Sequence, residues 1–102
     1  MKQFDVCHAV GAARKVGRLV VVLQHPYVDQ ISTIIVAPLF SPKDLPLVSL
    51  VRISVRIDRK IHVAAVDRLA ALSAKDLGAP IANLEKHREK FSRAWDLLFF
   101  GF

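Results

Sequence analysis

Hydrophobic and polar positions alternate most regularly over residues 51–57, where Val51, Ile53, Val55 and Ile57 are separated by Arg52, Ser54 and Arg56. A period of two predicts a strand with one buried face and one solvated face. Asp58-Arg59-Lys60 would return it into residues 61–66 as a hairpin. Upstream, residues 3–8 also alternate, with Phe4 and Val6 on one face. Residues 18–24 carry an unbroken run of leucine and valine between Arg18 and Gln24, the signature of a strand buried on both faces. Residues 11–17 read as a turn or flexible hairpin loop between them. A further strand is expected over 32–37, stopped by Pro38 because proline lacks a ladder donor. Residues 40–46, with Pro42 and Pro46, read as an irregular crossover. A short edge strand over 69–72 and a break at Gly78-Ala79-Pro80 follow.

The period then changes. Leu84, Phe91, Trp95 and Leu98 recur at spacings of seven, four and three, which predicts an amphipathic helix over about 84–99. Asn83 is suited to the N-cap, and Gly101 to a left-handed C-terminal cap. The expected architecture is one domain over 1–102: five or more antiparallel strands within 1–80, then one terminal helix. Three of the last four residues are phenylalanine: Phe99, Phe100 and Phe102. One helical stripe cannot bury them all, so this segment is expected either to dock into the chain's own core or to meet a partner. From the residues alone, docking into its own sheet or into a dimer seam is the commoner outcome.

Composition narrows the class. At 102 residues and 53% apolar, the chain can build one modest core. Its apolar runs are far shorter than the roughly 20 residues of a membrane-spanning helix. The beginning, Met1-Lys2-Gln3-Phe4-Asp5-Val6, lacks a secretory apolar region, and the single Cys7 cannot form an internal disulfide; both favour the cytoplasm. A net charge of +6 suits anionic partners, but the cations are spread along the chain without a basic block.

Catalytic signatures are missing. The four glycines, at 11, 17, 78 and 101, fit no phosphate-binding spacing. The Cys7-His8 pair and the isolated His25, His62 and His87 offer no zinc ligand set. Cys7 fits a small buried thiol better than a nucleophile. The chain is therefore expected not to be an enzyme and to need no cofactor or metal.

The terminal helix and tail, residues 87–102, begin His87-Arg88-Glu89-Lys90-Phe91 and end Phe100-Gly101-Phe102. This segment resembles the end of the CcdB-type toxins of bacterial toxin–antitoxin modules, which closes on an aromatic-Gly-hydrophobic triplet. Gln3-Phe4-Asp5-Val6, Leu23-Gln24 with Asp29, and Val36-Ala37-Pro38-Leu39 agree in order and rough spacing. The likeness covers nearly the whole chain, with a shorter loop around 41–50.

The resemblance implies a twisted antiparallel sheet of SH3-like barrel type, mainly β within the α+β class. A small secondary sheet and one long C-terminal helix would accompany it, in a homodimer with both helix ends near the twofold axis. It implies a poison of DNA gyrase that binds the gyrase A subunit and traps cleaved DNA. A cognate antitoxin with a disordered acidic tail would neutralise it, and DNA would be met only through gyrase or the toxin–antitoxin repressor complex. No membrane role is implied. Carried over by position, gyrase contacts fall on Phe100, Gly101, Phe102, Asp96, Phe4, Tyr27 and Val28, and antitoxin contacts on Gln3, Tyr27, Val28 and Phe100. Asp96 stands where asparagine is usual, Tyr27 and Val28 where isoleucines are, and Phe100 where tryptophan occurs. Two alternatives stay open. One is an endoribonuclease toxin of the related Kid- and MazF-type fold, using Arg52 or Arg56 with Ser54. The other is an inactive homologue that keeps antitoxin binding.

Overall fold

Phe4 shows how the chain closes on itself. Its φ is +70°, a region most side chains avoid. Its N–H donates to the Val22 carbonyl (2.7 Å), and its own carbonyl accepts from the Leu84 N–H (2.9 Å). One residue thus ties the start of the chain both to the second strand and to the approach to the helix. The computed structural model describes residues 1–25, 33–46 and 50–101.

The strands are β1 (Asp5–Ala9), β2 (Leu19–Val22), β3 (Thr33–Phe40), β4 (Arg52–Ile57), β5 (Lys60–Ala65), β6 (Ala70–Ser73) and β7 (Leu77–Asn83), followed by α1 (Arg88–Phe100). Among the described residues they form one curled antiparallel sheet in the order β4-β5-β3-β2-β1-β7. The expected secondary sheet takes the form of a branch: β6 pairs with the first half of β3 (Val36↔Ala70), and β5 with its end (Leu39↔Ala64).

That branching explains why Pro38 does not stop the strand as expected. Leu23 N–H donates to Ile35 O, which makes the odd-numbered β2 positions the hydrogen-bonded ones. Pro38 pairs with Val20, an even position, so its nitrogen faces the other side, where the neighbour changes from β6 to β5. No donor is needed at the changeover, and the strand continues to Phe40. Gly78-Ala79-Pro80 is likewise no break. It lies inside β7, a sheet edge where proline is tolerated, and the β1–β7 register shifts on both sides of Cys7. Residues 11–15 fold into a 3₁₀ helix instead of an open loop.

The sheet is buried on both faces at its centre, as the 18–24 run predicted. Val21, Leu23, Ala37 and Leu39 join Phe4, Ile53, Val55, Phe91 and Ala94 in the main core under α1. Val20, Val22 and Val36 point the other way and pack with Ala9, Ala13 and Leu72. The β4–β5 hairpin closes on two residues, Asp58 (φ 48°) and Arg59 (φ 68°), the left-handed pair that matches strand twist. Asn83 does not cap the helix as expected: it ends β7, and α1 starts four residues later than about 84, with His87 at its N-cap. Asn83 Oδ1 instead accepts from Glu85 N–H at 2.8 Å, ahead of a 3₁₀ turn (Glu85–His87) that leads into α1. Gly101, at φ +81°, donates to the Leu97 carbonyl and ends α1 in the left-handed cap that glycine supplies at least cost.

Candidate functional site at the end of the helix

The helix divides its apolar residues between two duties. Phe91 and Ala94 are buried, and Trp95 lies against the same core. One turn later the stripe has run past the sheet, leaving Leu98, Phe99 (63% exposed) and Phe100 (67% exposed) on the surface. The described rings of the tail are therefore not sealed inside the protomer. Beside them a shallow apolar cleft of about 540 Å³ is lined by Leu50, Ile53, Lys90, Arg93, Asp96 and Leu97. Leu50 is 78% exposed at its rim. Apolar rings and a neighbouring cleft with charges at its edge are the usual make-up of a contact surface. Asp96 lines this cleft, and Gly101, with open space where a side chain would stand, caps the end of the same helix.

Gln3 and Phe4 stand elsewhere. Gln3 donates to the Leu23 carbonyl (2.8 Å) and accepts from Arg88 Nη1 (3.4 Å), in a polar hollow it shares with Lys2, Asp5, His25, Asn83, Glu85 and Arg88. Arg88 opens α1 and Phe100 closes it, twelve residues on, which is about 18 Å at 1.5 Å per residue. One protomer does not bring the two groups into one site.

Phe4 is 0% exposed, so its ring offers no surface to a partner. It stacks on Trp95 (centroids 6.5 Å apart, planes at 4°), leans on Phe91 (5.2 Å), and lies 5.0 Å beneath the Arg88 guanidinium. Any effect of Phe4 on a partner must pass through Trp95 or Arg88. Tyr27, Val28 and Phe102 lie outside the described residues.

Sequence reasoning missed the cluster that holds the helix start. Asp5, buried, accepts from Lys2 N–H (2.8 Å) and from Asn83 Nδ2 (2.9 Å), while Asn83 also donates to the Gln3 carbonyl. Arg88 pairs with Glu85 at 2.8 Å. The signal was present only as an aspartate beside the apolar Phe4 and Val6. Arg52, a candidate for the nuclease alternative, is engaged with Asp67 at 3.2 Å. Among the described residues no group of three or more His, Cys, Asp or Glu could hold a metal, and no helix is long and apolar enough to cross a membrane. The Cys7 thiol is buried, and burial, followed by the nearby Asp5 charge, pushes its pKa up.

The family profile described as CcdB protein matches residues 3–101. The chain belongs to the CcdB family. That membership supports a toxin of a toxin–antitoxin system, and the curled sheet with one C-terminal helix fits the CcdB fold. A search of curated proteins finds no match. The CcdB resemblance seen in the sequence thus holds over nearly the full chain.

His87, which precedes α1, has its Nε2 buried without a hydrogen-bond partner among the described residues. Burial first, then Lys90 and Lys86, lowers its pKa below the usual 6.5. Just below that value the unfolded chain binds a proton that the folded one refuses, so this contribution to stability falls as pH falls. Thermal melts of His87→Gln should lose less stability than the parent on going from neutral to mildly acid buffer; equal losses would exclude this source.

Proposed function

We propose that this chain is a gyrase poison that acts by binding, without catalysis of its own. The observation that carries the reading is the exposure of Phe99 and Phe100 at the glycine-capped end of α1, in a chain of the CcdB family. The positions that the CcdB resemblance assigns to gyrase include Phe100, Gly101 and Asp96, and these three share one end of the helix. A homodimer with the two helix ends at its twofold axis would double this patch and give the gyrase A subunit one central aromatic anchor.

The cost of leaving large rings in water is then offset only when a partner covers them. A cognate antitoxin with an acidic disordered tail would neutralise the toxin by covering the same rings, with the +6 charge speeding encounter. Cytoplasmic action follows from that target. Induced expression in a gyrase-sensitive bacterium should arrest growth with gyrase-linked DNA breaks, and co-expression of the antitoxin should relieve the arrest. Full induction of soluble protein with neither effect would refute the reading.

A further inference from the structure

Away from the helix end, the chain carries a second charged surface. Arg14 and Lys15 form the last turn of the 3₁₀ helix of residues 11–15, Arg18 follows it, and Arg68 follows β5. They line one cleft of about 710 Å³ together with His62, Ser41 and Asp44. The loop is pressed onto the sheet at its base: a Cβ on Gly17 would stand 2.9 Å from Pro38 Cβ, so only glycine lets Arg14 to Arg18 lie this close to β3. The Arg68 guanidinium sits 5.6 Å over the Phe40 ring, which orients it while leaving its N–H groups available. Among the described residues none of these four cations has a carboxylate within ion-pair distance. Arg14 and Arg18 also line an adjoining hollow of about 260 Å³ with His8, so the basic strip continues past the first cleft.

We propose that this strip binds the phosphodiester backbone of duplex DNA directly, without gyrase. Three of the four cations are arginine, whose planar fork matches phosphate oxygens in pairs. A strip running over two hollows suits a polymer of phosphates better than a single anion. The apolar lining residues Val16, Leu19, Leu39 and Phe40 are committed to the chain's own core clusters, so little remains to anchor an acidic peptide. The Phe40 face is taken by Arg68, so no ring is free there to stack an unpaired base, which favours a duplex over a single strand.

The test is fluorescence anisotropy of a labelled mixed-sequence DNA duplex with the intact protein and no gyrase. Four phosphate contacts predict a log–log salt slope of about −3.6, or a roughly 150-fold loss of affinity from about 50 to about 200 mM salt. Arg14→Ala, Arg18→Ala and Arg68→Ala should each flatten the slope by about 0.9. Lys86→Ala and Phe100→Ala, outside the strip, should leave it unchanged, and melts confirm that each variant folds. Three results would overturn the proposal: no binding at low salt, a slope the strip variants do not alter, or equal or tighter binding of single-stranded RNA or polyglutamate. None of these bears on gyrase inhibition, which is read separately.

Discussion

Phe4→Ala is expected to cost about 3–5 kcal/mol, a drop in Tm of roughly 15–30 °C for a domain this size. The ring is wholly buried among Phe91, Trp95 and Arg88, and its removal leaves a void at the junction of β1, β2 and α1. Alanine would also inherit the left-handed φ of +70° without the ring burial that offsets it. Since small domains are stable by only about 5–15 kcal/mol, the variant should sit near the edge of folding. Phe4→Leu keeps more volume and should cost clearly less. Denaturant melts decide the matter. A loss below about 1 kcal/mol for Phe4→Ala would mean that this cluster does not hold the helix to the sheet.

The second large effect concerns binding more than stability. Phe100→Ala removes a ring that is two-thirds in water, so its melt should shift far less than that of Phe4→Ala. If Phe100 is the anchor for the gyrase A subunit, the same change should weaken that complex at least roughly 30-fold, the mark of a central aromatic contact. Phe4→Ala and Phe100→Ala thus form a pair: one attacks the frame, the other the contact it presents. Phe100→Trp should bind at least as well as the parent, because the larger ring keeps the apolar face and strengthens any cation–π contact with an arginine. Direct titration against the isolated gyrase A subunit measures both variants. Unchanged affinity in Phe100→Ala would remove this residue from the contact.

Much of this organisation was legible in the residues. The 51–57 alternation, the doubly buried 18–24 run, the Gly101 cap and the helix stripe as far as Trp95 all depend on local periodicity or local backbone needs, which sequence carries directly. Pro38 and the 78–80 segment misled because proline and glycine report what the backbone cannot do locally. Whether a ladder position needs a donor depends on which strand lies alongside. Pro38 falls where β6 gives way to β5, and Pro80 falls on an edge strand. Phe4 was assigned a partner role by family position, yet its burial depends on Trp95 and Arg88, more than eighty residues away in the chain. The strip of Arg14, Lys15, Arg18 and Arg68 was hidden for the same reason: four scattered cations become one surface only when β2, β3 and β5 lie side by side.

The most direct measurement is a cleavage assay with purified gyrase, supercoiled DNA and this protein. Denaturing the enzyme at the end of the reaction reveals any covalent complex as broken DNA. Broken DNA should accumulate with the parent protein, should be abolished by Phe100→Ala, and should require the gyrase A subunit. Parent protein that binds no gyrase and leaves the DNA intact at saturating concentration would contradict the claim that the exposed helix end is what the enzyme grips.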